Sequence, residues 1–221
     1  MRLYLSSYRL GDHIDQLFNL LGDGRRTCVV DNAVDLIPQA DRDDYAATVY
    51  DSKKVLSNLG LEVERLDLRH YFGRTEALHQ HMKQYDLVWV LGGNTFLLRR
   101  AMAQSGFDHL IKDMLKADSI VYGGFSAGVC VLAPTMRGIE LMDEPERVAD
   151  GYNVPILWDG LGIIDFSIVP HYQSPGHPET DLANKSVAYF EEHKMPYKAL
   201  RDGDVLVANN GPLKLYAAAP K

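Results

Sequence analysis

Short apolar runs alternate with longer amphipathic segments along the whole chain, the pattern of an α/β domain whose sheet is covered by helices on both faces. Five runs of strand length, mostly β-branched or aromatic, predict strands near residues 2–6, 27–31, 62–66, 86–91 and 119–123. Helical periodicity appears between them. Over residues 43–59 it places Tyr45, Val49, Val55, Leu56 and Leu59 on one broad face, with Gly60 as the expected terminator. Further helices are expected over 75–82, 95–103 and 108–116.

Beyond residue 134 the pattern changes. Residues 136–160 carry acids, Pro145, Pro155 and glycines without clear periodicity, which predicts a long surface excursion of the kind that often borders an active site. Apolar structure resumes at 161–170, one helix is expected over 181–193, and 205–208 with 213–217 read as an antiparallel pair around the turn Asn209-Asn210-Gly211. The expected fold is therefore a mostly parallel sheet with helices on both faces and an antiparallel C-terminal edge.

At 221 residues the chain has the length of one domain, taken as 1–221. Its 46% hydrophobic and 24% charged residues are ordinary for a globular domain that buries a sizeable core. A net charge of −7 repels phosphate backbones and anionic lipid, which argues against nucleic acid as a partner. No window approaches the length of apolar sequence a membrane span needs, and the N-terminal residues lack the apolar core of a secretory signal. Cys28 and Cys130 each lie in an apolar run, as small buried hydrophobes do, so the default compartment is a reducing cytoplasm. Oligomeric state is left at monomer or homodimer.

The strongest chemical signal is Gly124-Phe125-Ser126-Ala127-Gly128, directly after the apolar run Ser119-Ile120-Val121-Tyr122. A nucleophile elbow needs this setting: small residues permit a tight strand-to-helix turn that lifts the serine oxygen out of the sheet. The second signal is Gly92-Gly93-Asn94-Thr95-Phe96, again at the carboxyl end of an apolar strand, where open α/β sheets form their ligand crevice. A phosphate loop is the rival there, but the lysine-bearing spacing such loops use is absent.

A serine hydroxyl needs a base. Of eight histidines, His13, His70, His79, His81, His109 and His193 lie in helical or polar stretches, whereas His171 ends the apolar run that begins at Gly162. His177, in a Pro/Gly-rich loop, is the reserve. The acid that orients the base is sought at strand rims; Asp202 begins a turn before an apolar strand, with Asp204, Asp165 and Asp159 as competitors. No histidine and acid spacing resembles a zinc set, and neither metal nor cofactor is implied.

Gly92-Gly93-Asn94-Thr95-Phe96, Gly124-Phe125-Ser126-Ala127-Gly128 and Pro170-His171-Tyr172 together resemble the serine peptidases of the aspartyl dipeptidase (peptidase E) family, to which cyanophycinase is related, in order and spacing over essentially the whole chain. The resemblance implies a flavodoxin-like sheet related to the class I glutamine amidotransferases, a short peptide as substrate, and a triad ordered Ser, His, acid. It implies Ser126 as nucleophile, His171 as base, and an oxyanion hole at the backbone N–H groups of Gly93 and Ala127; Asn94, Thr95, His177 and Glu179 are the candidate substrate contacts. The family's acid is a glutamate before glycine, where this chain has Asp202-Gly203, one methylene shorter.

An α/β-hydrolase esterase shares G-x-S-x-G but orders its triad Ser, acid, His. A non-catalytic binding or regulatory protein on the same scaffold is the other alternative, since fold does not certify activity. Specificity is a separate matter. The family segment after the histidine ends Glu-Thr-Arg, but here it reads Glu179-Thr180-Asp181. If that arginine receives a substrate aspartate, Asp181 repels it, and the expected preference shifts from N-terminal aspartate unless Arg137, Lys185 or Arg201 reaches the pocket.

Overall fold

A computed structural model describes residues 1–219. Seven strands form the main sheet: β1 (Arg2–Ser6), β2 (Arg26–Val30), β3 (Glu62–Arg65), β4 (Leu87–Val90), β5 (Val121–Phe125), β8 (Val205–Asn209) and β9 (Lys214–Tyr216), in the order β3-β2-β4-β5-β1-β8-β9. The first five are mutually parallel, while β8 and β9 add an antiparallel edge. Buried runs such as Leu87-Val88-Trp89-Val90 explain the central placement, because a parallel sheet covered on both faces needs apolar side chains on both. Leu3, Leu5, Val88 and Val90 pack to one face, and Tyr4, Trp89 and Val121 to the other.

Among the described residues there are eight α-helices. α1 (Ile14–Leu21) and α3 (Ser52–Asn58) pack on the Trp89 face; α4 (Thr75–Met82), α5 (Thr95–Ser105), α6 (Phe107–Lys116), α7 (Ala127–Cys130) and α8 (Thr180–Glu192) pack on the other. α1 is a helix that the sequence reading did not propose. α2 (Gln39–Thr48) and α3 replace the single helix expected over 43–59. The chain leaves α2 at Val49, and the Asp51 side chain accepts the N–H groups of Lys53 and Lys54 at 2.9 and 3.1 Å, starting a new helix. The expected apolar face is accordingly split: Leu56 on α3 is fully buried, but Tyr45 is 47% and Val49 56% exposed, and α2 buries no residue at all.

The apolar stretch 161–170 yields only β6 (Ser167–Val169), which pairs in parallel with β7 (Tyr197–Ala199) as a separate two-stranded sheet. The excursion 136–160 is pinned rather than loose. Buried Arg100 donates to the carbonyls of Pro145 and Val154 at 2.9 and 3.0 Å, and Tyr152 donates to Asp35 at 2.6 Å. Among the described residues no helix is long and apolar enough to cross a membrane.

Topology brings several chain segments to one rim. Val90 lies beside Gly124 and Ser6 beside Phe125, so the loops leaving β4, β5 and β1 emerge together. Antiparallel β8 starts at that same rim, with Val205 beside Ser6, which places the turn before β8 there too.

Candidate active site

Ser126 sits between β5 and α7 at φ 50°, ψ −118°, backbone that a side chain adopts only under constraint, at a cost on the order of 1–3 kcal/mol. The constraint is local packing. A Cβ on Gly128 would lie 2.4 Å from the Val90 carbonyl oxygen, so the turn after the serine presses on β4 only because that residue is glycine. The Gly92 loop abuts the elbow, since a Cβ there would fall 3.0 Å from Ser126 Cβ. Among the described residues no acceptor is bonded to the N–H of Gly93 or of Ala127.

His171, at φ 61°, is buried at the end of β6. Its Nδ1 lies 2.8 Å from Asp202 Oδ1. The β6–β7 pairing is the reason: Leu200 N–H bonds Val169 O at 2.9 Å and Tyr172 N–H bonds Leu200 O at 3.0 Å, carrying the two chain segments side by side up to the rim. Burial alone pushes the Asp202 carboxyl up, but the His171 hydrogen bond and charge, with the Ser7 hydroxyl, hold it below its ordinary value. An ionised Asp202 only accepts, so the hydrogen bond puts a proton on His171 Nδ1 and leaves Nε2 as the nitrogen that bears the lone pair in the neutral imidazole. Asp204 is engaged elsewhere, accepting the N–H groups of Arg201 and Ala218 at 2.8 and 2.6 Å.

Ser7 gives no sign in the sequence of its place here. Its hydroxyl accepts the His171 backbone N–H at 2.9 Å and donates to Asp202 at 3.0 Å. Ser174 supports the other side, accepting the Asp202 N–H at 2.8 Å. The His177 ring stacks on His171, centroids 3.7 Å apart and planes 3° from parallel, and the Tyr8 ring meets both edge-on. Burial, then the neighbouring His171, push the His177 imidazole below its ordinary pKa. Glu179 Oε2 is 3.8 Å from His171 Nε2. His171, His177 and Glu179 bring their donor atoms within 4.8 Å of one another. Parallel stacked rings hold their lone pairs in separate planes, however, and do not converge on one ion without a ring turning.

Ser126, His171, His177 and Glu179 line one cavity of about 750 Å³ that extends to α2 and α3. Asn94 and Thr95 do not line it. Asn94 caps α5, accepting the Leu97 N–H at 2.8 Å, and donates to Glu144 O, while Thr95 is fully buried with its N–H on Asp143 at 2.9 Å. Burial pushes that Asp143 carboxyl up to about 6, against the opposing hydrogen bonds from Thr95. The excursion 136–160 contributes nothing to the lining either. Asp181 is exposed in the first turn of α8, outside the cavity, so the repulsion expected from it has no seat there. Nor do the three basic residues that could have answered it line the cavity: Arg137 stacks on Trp158 at 3.6 Å, Arg201 donates to Gln173 at 2.9 Å, and Lys185 is exposed on α8.

The flavodoxin-like fold and the sequence that builds it have counterparts elsewhere. The profile of peptidase family S51 matches residues 11–216. The chain belongs to peptidase family S51. The uncharacterized peptidase Lmo0363 of Listeria monocytogenes is 34% identical over 146 residues, which cover 62% of this chain and 66% of that protein, just under two thirds of its length. Peptidase E of Streptomyces coelicolor is 28% identical over 197 residues, covering 87% of this chain and 72% of that protein. A solved Listeria monocytogenes EGD-e protein that carries the peptidase E name provisionally superposes with a TM-score of 0.79 at 23% identity, over 99% of this chain and 98% of its own. That likeness establishes the fold. All three of these relatives carry peptidase names, and none is named an esterase.

Proposed function

We propose that this S51 member is a serine peptidase that hydrolyses short peptides through an acyl-enzyme, with Ser126 as nucleophile, His171 as base and Asp202 as the acid that orients the base. The observation that carries the reading is the 2.8 Å hydrogen bond from His171 Nδ1 to Asp202, on the wall of a cavity that also holds Ser126. Ser126 Oγ attacks the scissile carbonyl carbon and passes its proton to His171 Nε2. The carbonyl oxygen, now negative, meets the free N–H groups of Gly93 and Ala127. His171 gives the proton to the departing amine, the C–N bond breaks, and the acyl group remains on Ser126. Water, deprotonated by His171, then releases it. Asp202 stays ionised throughout and stabilises the imidazolium.

The chain order Ser126, His171, Asp202 differs from the Ser, acid, His order of α/β-hydrolases. Ser126→Ala is expected to lower kcat on a dipeptide library by roughly 10³-fold or more with the circular dichroism spectrum unchanged. Hydrolysis by purified Ser126→Ala at near the parent rate would refute the proposal.

A further inference from the structure

Arg9 lines the cavity and forms no ion pair among the described residues. Arg9 follows β1 in a turn whose backbone is held left-handed at φ 50°, and the turn is tied by Ser6 Oγ donating to Tyr8 O and Tyr4 Oη donating to Leu10 O. Its guanidinium lies 4.8 Å from the Tyr8 ring centroid and 4.4 Å from that of Tyr50, with Tyr45 close by. The groups that raise its pKa against burial are all tyrosines. The other two arginines on the cavity wall differ: Arg42 pairs with Asp35 at 3.3 Å and Arg65 with Asp31 at 2.8 Å. Arg9 Nε and Tyr50 Oη are both buried without a hydrogen-bond partner among the described residues, and both residues line the cavity. A half-buried cation and two orphaned polar atoms, one a fixed-fork donor, are costly unless a ligand completes them.

We infer that Arg9 is the specificity-determining residue of the cavity and receives a carboxylate of the substrate, with Tyr50 Oη as a second donor. The inference rests on the reading above that Ser126 and this cavity act on peptides. A carboxylate matches it because the planar guanidinium binds two oxygens in one plane. Tyr8 couples this position to the chemistry, since the ring under Arg9 also packs edge-on against His171. The carboxylate has two possible sources in a short peptide, the side chain of an acidic residue or the C-terminus, and the two require different ligands to separate them.

The test measures binding, so that it survives any outcome for catalysis. In the Ser126→Ala background, calorimetry compares Asp-Leu with Asn-Leu, which lacks the side-chain carboxylate, and with Asp-Leu amide, which lacks the terminal one. Asp-Leu is expected to bind at least 100-fold more tightly than one of the two neutralised ligands. Arg9→Met is expected to bring that ratio close to 1, and Arg9→Lys to retain about a tenth of it. The ligand whose penalty disappears in Arg9→Met identifies the source. Equal binding of all three ligands by the Arg9-bearing protein, or an undiminished ratio in Arg9→Met, overturns the inference. The peptidase reading is judged separately: cleavage of the same ligands by the protein with Ser126 supports it whatever Arg9 does, and a cleavage failure leaves the binding ratios intact.

Discussion

On one side of the cavity, Gly92 and Ser126 follow strands whose residues are buried and hydrogen-bonded to neighbours on both edges; on the other, α2 lines the same space while burying none of its residues. The first wall holds a strained serine because β4, β5 and α7 over-determine its position. The second hangs between Pro38 and the Asp51 cap, and its side chains reach the cavity from an exposed helix. On the proposed reading, the reacting serine stands on the fixed wall while Tyr45 and Tyr50 approach the ligand from the loose one, which separates what must be exact to within a fraction of an ångström from what tolerates substitution.

The largest effect that tests this division is at the base. Asp202→Asn is expected to lower kcat by about 10³-fold or more, because the amide no longer fixes the His171 tautomer. Asp204→Asn, two residues away but bonded to Arg201 and Ala218, is expected to leave kcat within about threefold. Equal losses from the two would show that the rim, rather than the hydrogen bond, is what matters. Next comes stability. Gly128→Ala drives a Cβ against the Val90 carbonyl and is expected to cost about 1–3 kcal/mol, a fall in Tm of roughly 3–10 °C by calorimetry.

Asp143, beneath the loop that leads into α5, offers a smaller effect whose sign is fixed by its proton. Its carboxyl is raised from 3.8 to about 6 in the fold, so folding takes up a proton between those values, and stability falls as pH rises through that window. Asp143→Asn keeps an acceptor for the Thr95 N–H and removes the penalty. It is expected to raise Tm by about 2–4 °C at pH 8, roughly 1 kcal/mol, and to leave it unchanged at pH 3. A stabilisation as large at pH 3 as at pH 8 would show that charge burial is not its origin. The smallest effect belongs to the loose wall: Val49→Ala is expected to shift Tm by less than about 2 °C, within the ±0.5 kcal/mol usual for exposed positions. A shift matching that of Gly128→Ala would erase the contrast between the walls.

The sequence made the strand-to-loop junctions of the site legible, because buried parallel strands are continuous apolar runs and the glycine motifs follow them directly. Asp202 was also readable as a rim residue, since a turn before an apolar strand has few other places to be. The packing of helices was read less well. Ile14, Leu17, Phe18 and Leu21 have helical spacing, but α1 begins at His13 with no side-chain cap to announce it. Asp51 interrupts a periodic stretch with a cap that outweighs the pattern around it. Asn94 reads as a binding residue from its motif, yet its side chain is spent on capping α5. Ser7 and Arg9 had no local signal, because what gives each its role lies far away in the chain: His171 and Asp202 for one, Tyr50 for the other.

The interior position of β1 has a consequence for biosynthesis. Its residues bond Val121–Phe125 on one edge and Val205–Asn209 on the other, and 195 residues separate Ser7 from Asp202. As the chain leaves the ribosome, this early segment must wait with an unpaired edge until one of the last strands is made, which makes folding slow and gives chaperones a strand to shield. The same closure brings Ser7, His171 and Asp202 together. A nascent chain therefore carries the Ser126 elbow before His171 has its partners, and on the mechanism proposed above the power to cut peptides would arise only after synthesis has passed β8.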